Sequence, residues 1–581
     1  MGALFGFSGP SSPGLPKTLA HPLCHRGTRF RFLDESASGT LGLLCDFDSK
    51  RRSELGTGLF AEDDRAIVLD GYLTNRPPPA PRDLLREYVE RGIGFIERLR
   101  GAFVMVVRDK TRFFLVRDGA GARTLYYSLF QNRLFFSVEP KGIHRLPGFS
   151  RKIRPGAVAQ YLSFSFIPGH RTMLKNLFEV PAGSYAYYDS SLPAKGIVLK
   201  RHFHFEDDTR RNGHDEQYWI ERFRKEFRSS VRERIPDGEP VAATLSGGID
   251  SSVVVSELSR LGRKVKTFSL HFGKEYDNEL EFARLVAERC GTDHEEVLIR
   301  PGDFLPRFRK MIWHLDDPIG DPITMPNFEL ASRMSGDFRW VFNGEGGDPL
   351  FGGPKNYSML LRHWYGGIDR HPRFRERSYL ASYRRGFEEL DRLLTPGWLS
   401  AFDAGEELEG VLAPFFESAL PRKFLNKLMA INIRLKGAHL ILPKVERMTA
   451  AWGLNALSPL FDERLFRLSF EMPPRLKLAD GVEKVIFKRC YRNDLPSRII
   501  ERPKSGMRVP VYFWFQKEMK KYARHLLSPK NIRKAGIFNP ERVRQLLDYS
   551  TVEGPGRYGM RLWMLVTFEV WRRIVVEGEP V

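Results

Sequence analysis

The chain of 581 residues carries only four cysteines, Cys24, Cys45, Cys290 and Cys490, far apart in sequence. There is no Cys-x-x-Cys and no Cys–His spacing suited to zinc, so neither a disulfide framework nor a structural metal organises the fold. Scattered buried thiols are the expectation. No uninterrupted apolar run is long enough to cross a bilayer. The most apolar late stretch, residues 562–570, is broken by Glu569 and followed by Arg572 and Arg573. The opening MGALFGFSGP has no basic start and no long apolar core, so no signal peptide is expected and the cytoplasm is the simple location. No internal repeat and no low-complexity tract occurs. No Lys/Arg block is flanked by stacking aromatics, so nucleic acid and membrane are not the expected partners despite a net charge of +21. That charge fits smaller polyanions such as ATP, or an acidic peptide.

What is present is a hydrophobic fraction of 42%, enough to build packed cores, in a chain too long for one ordinary domain. Residues 1–205 read as many short strands: 66–69, 102–107, 112–116, 134–137 and 183–188 are β-rich and bounded by Gly, Asp, Asn or Pro. The Pro run at 77–81 reads as a loop entering a helix. Residues 206–214, EDDTRRNGH, are polar and make a linker. From 216 the texture changes. Strand patterns at 241–245, 265–270 and 296–299 alternate with helical patterns at 251–261 and 279–290, the signature of a parallel sheet covered by helices. Beyond 355 the chain reads as mainly helical.

The chemistry concentrates in LSGGIDSS, residues 245–252, between a strand and a helix. Backbone N–H groups and the helix dipole both favour an anion there. Gly247 and Gly248 let the backbone approach phosphate oxygens, and Ser246, Ser251 and Ser252 add hydroxyl donors. Asp250 would repel phosphate by itself, so its sensible role is to hold Mg²⁺. No Lys precedes the serines, so this is not GxxxxGK[ST]. A Ser/Gly-rich β–α turn would explain a bare SGG. It explains SGGIDSS less well, because a second acidic loop, NGEGGDPLFGG at 343–353, follows a strand pattern at 339–342. In a parallel sheet both loops face one crevice. Asp348 then meets Asp250 around one Mg²⁺, with Glu345 near the reacting centre.

These residues resemble the asparagine synthetase family and its relatives, the β-lactam synthetases and lasso-peptide cyclases. The resemblance extends over TFSLHF (267–272), NELEFARLVAERCGTDHEEV (278–297), DDPIGDPITMP (316–326), LPKVERMTAAWGLNALSPLFDERL (442–465), RPKSG (502–506) and LWMLVTFEVW (562–571). It implies two domains: an Ntn-hydrolase-like β-sandwich layered with helices over 1–205, resembling a glutamine amidotransferase domain, and a PP-loop parallel α/β synthetase domain over 216–581. It also implies a reaction. A carboxylate attacks the α-phosphorus of ATP, pyrophosphate leaves, and ammonia or an amine displaces AMP from the acyl-adenylate. By motif position Leu245, Leu270, Asn343 and Gly344 contact ATP. Ser246, Gly247, Gly248, Ser251 and Ser252 hold pyrophosphate, and Asp250 and Asp348 bind Mg²⁺. Lys504 stabilises charge on the phosphate or the tetrahedral intermediate. A homodimer is compatible with the sequence.

The N-terminal half resembles class II glutamine amidotransferases through HRGTRFRF (25–32), LDGYLTN (69–75), LRGAFVMVVRD (99–109), RDGAGARTLYY (117–127) and FFSVEPKGI (135–143). Those enzymes use an N-terminal cysteine as nucleophile. Here Gly2 stands at that place, and glycine cannot form a thioester. The glutamine-reading Asn is Asp70, and the Asp after HRGP is Arg29. No glutaminase activity is expected. In the second half Pro349 follows the Gly-Gly-Asp, Glu446–Arg447 replaces Asp-Arg, and Asn455 and Leu457 stand where a Glu and an Arg are usual. An apolar Leu cannot replace Arg for carboxylate recognition, so the resemblance does not carry aspartate over as substrate. Three readings result: an amide ligase of asparagine synthetase type, an enzyme closing an intramolecular amide, and an inactive ATP-binding relative. Intact Ser246, Asp250, Asp348 and Lys504 argue against the last.

Overall fold

A computed structural model describes residues 2–207, 213–366, 371–383, 386–549 and 555–581. The expected linker at 206–214 falls partly outside these residues.

The N-terminal half is two six-stranded sheets packed face to face. The first contains β1 (Gly2–Ser8), β2 (Phe30–Ser36) and β3 (Gly39–Cys45). The second contains β4 (Gly58–Glu62), β5 (Arg65–Leu73), β6 (Gly101–Asp109) and β7 (Arg112–Arg117). Strands β8 (Tyr126–Phe130), β9 (Arg133–Ser137) and β10 (Phe178–Glu179) complete the first sheet, in the order β10-β8-β9-β1-β3-β2. Strands β11 (Ser184–Asp189) and β12 (Val198–Arg201) complete the second, in the order β12-β11-β7-β6-β5-β4. All pairings in both sheets are antiparallel, and residues such as Phe5, Leu43, Val68 and Val106 are fully buried between them. Every strand expected from the sequence in this half lies inside or across one of these elements.

The C-terminal half is built on a five-stranded parallel sheet. Its strands are β13 (Val241–Thr244), β14 (Val265–His271), β15 (Asp293–Leu298), β16 (Trp340–Phe342) and β17 (Asn455–Leu457), ordered β15-β14-β13-β16-β17. The chain is thus a two-domain protein, an α+β half followed by an α/β half. β13 is central, with β14 on one side and β16 on the other. The loops leaving these strands therefore emerge side by side at the carboxyl edge, where such sheets bind ligands.

The region past 355 is mainly helical, as its sequence reads, and strand β17 is a short exception. Three residues are too few to carry a period-two signal, and pairing to β16 is what makes them a strand. Asn455 and Leu457 belong to it and are buried. Asn455 Nδ2 donates to the Arg339 carbonyl, and Leu457 packs in the core of the sheet. Neither side chain lines the crevice at the carboxyl edge of the sheet.

The two halves share one core. Tyr161, on the helix Pro155–Phe164, packs on Phe568 of the closing helix Pro555–Val575 and donates to the Met564 carbonyl at 2.8 Å. Residues 562–570 are apolar because this helix is buried on the helices Phe308–Leu315 and Val511–Gln516 of its own half as well as against Tyr161. Among the described residues no helix is long and apolar enough to cross a membrane. The four thiols form no disulfide; Cys45 and Cys490 are buried, Cys24 and Cys290 half-buried.

Candidate active site

The loop after β13 turns at Gly247, whose φ of +72° is open to glycine at little cost. A Cβ there would lie 2.6 Å from the Ala283 nitrogen, so the turn is pressed against the helix Leu280–Cys290. The helix Ile249–Arg260 then starts two residues earlier than its sequence pattern indicates. Its first turn is braced by its own serines. Ser251 Oγ and Ser252 Oγ both donate to the Gly248 carbonyl, at 3.1 and 2.8 Å, and Ser246 Oγ lies 3.1 Å from Ser251 Oγ.

A cavity of about 300 Å³ opens over this loop. Leu245, Ser246, Gly248, Asp250, Ser251, Leu270, Asn343, Gly344, Glu345 and Lys504 line it, so the fold brings together ten of the residues singled out from the sequence. Gly247 and Ser252 are not in the lining. Gly247 serves the turn, and Ser252 is fully buried with its hydroxyl directed back at the helix. Both support the loop from beneath.

The second acidic loop meets the first directly. A Cβ on Gly344 would stand 2.4 Å from the Ser251 nitrogen, and one on Gly347 would stand 2.0 Å from Asp250 Oδ1. Only glycines let the two loops approach this closely. Asn343 Oδ1 accepts from the Glu345 amide and from Ser458 Oγ, both at 3.1 Å, which fixes the orientation of its amide. Asn343 Nδ2 is buried without a hydrogen-bond partner, a donor left for a ligand in the cavity.

Asp348 lines a second cavity of about 160 Å³, together with Asp250, Asp321, Glu345, Lys436, Leu440, Lys444 and Lys504. The two cavities share Asp250, Gly344, Glu345 and Lys504. At this junction stands a lysine that the sequence reading missed. Lys484 is fully buried, and its Nζ lies 2.5 Å from Asp250 Oδ2 and 2.7 Å from Asp348 Oδ1. Lys504 bonds Asp348 and lies 3.8 Å from Asp250 Oδ2. Burial pushes the Asp348 carboxyl up, but Lys484, Lys504 and Lys436 outweigh it and hold Asp348 well below the usual carboxylate range. Burial likewise disfavours the Lys484 ammonium, and Asp250 and Asp348 reverse this, so its affinity for the proton rises. Lys484 has φ +53° and precedes the helix Val485–Cys490, just after the hairpin Leu478–Ala479 and Val482–Glu483. No local motif marks it. Only the tertiary fold brings it to Asp250.

Arg502 and Glu279 were also not foreseen. They line the larger cavity and bond each other. The Arg502 guanidinium lies 3.9 Å from the centre of the Phe282 ring and donates to the Gly247 carbonyl. It ties the 502–506 stretch that carries Lys504 to the phosphate-loop turn.

In the N-terminal half, a Cβ on Gly2 would lie 2.2 Å from Asp70 Oδ1. The space of a nucleophile's side chain is filled by a buried carboxylate, whose Oδ2 has no hydrogen-bond partner. Arg26 of the HRG motif is fully buried and turned to the other half: its Nη1 and Nη2 donate to Glu446 at 2.6 and 2.8 Å, and it also bonds Glu139. Arg123 donates to Glu446 as well, at 2.8 Å. Burial raises the Glu446 pKa, and Arg26 and Arg123 overcome this and hold it at about 2. Glu446 thus joins the two halves.

Two family models match the chain. The Asparagine synthase family matches residues 222–573, and the Glutamine amidotransferase domain matches residues 83–200. The first covers well over half of the chain and includes both acidic loops, Lys484 and Lys504. The chain belongs to the asparagine synthase family. It is 25% identical over 506 residues to asparagine synthetase [glutamine-hydrolyzing] 1 of Bacillus subtilis, covering 83% of this chain and 78% of that one. It is 22% identical over 492 residues to asparagine synthetase [glutamine-hydrolyzing] 3 of the same organism, covering 80% and 76%. It is 29% identical over 287 residues to amidase chyE of Penicillium rubens, covering 46% and 42%. This asparagine synthase family member is therefore a carbon–nitrogen ligase that uses ATP. The amidotransferase match begins past Gly2, Arg29 and Asp70, the positions that depart from the glutaminase pattern.

Proposed function

We propose that this enzyme adenylates a substrate carboxylate with Mg·ATP and passes the acyl group to ammonia or an amine, releasing AMP and pyrophosphate. The observation that carries this is the junction of two cavities at Asp250, Glu345 and Lys504, with Lys484 buried between the carboxylates. The larger cavity takes ATP, its base between Leu245 and Leu270 and its phosphates over Ser246, Gly248 and Ser251. The smaller takes the carboxylate.

A divalent cation fits the residues present. Asp250 Oδ1 is buried without a hydrogen-bond partner, and Asp250 and Asp348 are hard oxygen ligands facing the same junction. Among the described residues no cluster of three or more His, Cys, Asp or Glu could hold a metal alone, so Asp250 and Asp348 would hold Mg²⁺ together with the bound nucleotide. Bound there, Mg²⁺ neutralises charge on the leaving pyrophosphate. In the first step a carboxylate oxygen forms a bond to the α-phosphorus and the bond to the β-phosphate oxygen breaks. Lys484 and Lys504 offset the charge that accumulates at this point. In the second step the amine nitrogen attacks the acyl carbon, loses a proton towards Glu345, and AMP leaves.

The filled pocket at Gly2 and Asp70 favours an amine source other than glutamine: free ammonia, or an amine of the substrate itself as in lasso-peptide cyclases and β-lactam synthetases. Incubation with ATP, Mg²⁺ and candidate carboxylates, followed for AMP and pyrophosphate, tests the reading. Asparagine formed from aspartate and ammonium selects the intermolecular ligase. Turnover with a peptide but not with aspartate selects the intramolecular one. ATP binding without turnover on any carboxylate would leave only the inactive relative.

A further inference from the structure

The wall of the smaller cavity is a rare element. Residues Asn432–Ile441 form a π-helix of 10 residues, and its Lys436, Leu440 and Ile441 line the cavity. A π-helix is inferior to an α-helix in isolation and persists where its surroundings over-determine it, frequently at functional sites. Its surroundings on the other side are the N-terminal half. Arg117 and Glu179 are buried, with Arg117 Nη1 2.5 Å from Glu179 Oε1. Arg117 Nη2 donates to the Ala438 carbonyl at 3.0 Å, and Glu179 Oε2 lies 3.0 Å from His439 Nδ1. Gly121 closes the contact: at φ +73°, a Cβ there would stand 2.9 Å from Ala438 Cβ.

From these contacts we propose that Arg117 and Glu179 are positioning residues for the acyl-substrate cavity, fixing the π-helix at Ala438 and His439 so that Lys436 and Leu440 stand in its wall. The proposal rests on the reading of the smaller cavity as the carboxylate site. It gives the N-terminal half a task that needs no glutamine chemistry. Arg117 suits that task because it spends its remaining donors on the carbonyls of Gly121, Arg123 and Val180, which leaves it one geometry. Glu179 bridges Arg117 and His439, so neutralising it loosens both at once.

The test compares the full-length protein with Glu179→Gln, and with Gly121→Ala in case the first variant folds poorly. Amide hydrogen exchange over 432–441 is expected to quicken by about tenfold or more, while exchange in β13 and β14 stays as in the wild type. The dissociation constant for ATP, by calorimetry, is expected to stay within about twofold, since the larger cavity is not walled by the π-helix. With any carboxylate that the wild type turns over, KM for that carboxylate rises while KM for ATP does not. Unchanged exchange over 432–441, or ATP affinity lost in step with it, overturns the proposal. A wild type that turns over no carboxylate defeats the catalytic reading alone, because the exchange and ATP measurements need no second substrate.

Discussion

Lys484 Nζ lies 2.5 Å from Asp250 Oδ2, although 234 residues separate them in sequence. The contact places a permanent, buried positive charge between the phosphate loop and the second acidic loop. Its position is set on three sides, by Asp250, Asp348 and the hairpin that precedes it, before any ligand is bound. That is the condition under which an electrostatic group contributes most to a phosphoryl-transfer transition state.

Replacing Lys484 with Met is expected to lower pyrophosphate release by about a hundredfold or more. The variant leaves Asp250 and Asp348 facing each other without the cation that bridges them, with Lys504 and Lys436 as the remaining positive charges. Single-turnover measurement of pyrophosphate, with a thermal melt as control for folding, checks this. Turnover near the wild-type rate would remove Lys484 from the reaction.

Asp250→Ala is expected to abolish pyrophosphate release at all Mg²⁺ concentrations, because the cation loses a ligand beside the leaving group. A titration with Mg²⁺ separates the two ways this could fail. Recovery at high Mg²⁺ would make Asp250 an affinity ligand only, and near-wild-type turnover throughout would overturn the metal assignment.

Gly2→Cys alone is expected to release no glutamate from glutamine above a no-enzyme control. The added side chain would begin 2.2 Å from Asp70 Oδ1, so the carboxylate must leave before a thiol can occupy the pocket. Measured glutamate production by the wild type would defeat the wider claim that this half lacks glutaminase activity.

Stability should rise with pH across the neutral-to-alkaline range through Lys477. This lysine is fully buried, and burial, with the Lys423 charge, lowers its pKa to about 7. Between that value and its ordinary value in the unfolded chain, the unfolded state binds the proton and the folded state does not. The cost therefore grows as pH falls through this window and is constant below about 7. Lys477→Met is expected to flatten the dependence of the urea midpoint on pH between about 7 and 10. A slope equal to that of the wild type would show that another group carries it.

Arg26→Met is expected to destabilise the protein by about 3 kcal/mol, because Glu446 and Glu139 each lose a buried partner and keep only Arg123 and Lys141 with His25. Urea denaturation checks this, and the double variant with Glu446→Gln should recover part of the loss.

Much of this was legible in the sequence, for identifiable reasons. LSGGIDSS and NGEGGDPLFGG are local: glycine spacing, a strand before and a helix after are enough to place a loop at a sheet edge. The strands of the first half announced themselves by β-branched and aromatic runs between turn residues. What escaped was non-local. Lys484 lies in an unremarkable stretch, GVEKVIFKR, and gains its meaning from Asp250 and Asp348. That Asn455 and Leu457 are buried follows from the pairing of β17 to β16, which their own three residues do not signal. The bond from the Ser252 hydroxyl to the Gly248 carbonyl likewise depends on the helix geometry.

The sequence by itself determined the two-domain fold, the family and the two loops that converge at the carboxyl edge, because periodicity and glycine placement act over a few residues. Only the tertiary structure decided which cation neutralises Asp250 and Asp348, why Gly2 has no room for a side chain, and which side of the π-helix lines the smaller cavity. Those depend on close approach between residues tens to hundreds of positions apart. Steric exclusion and buried charge are properties of that approach, and no local pattern encodes them.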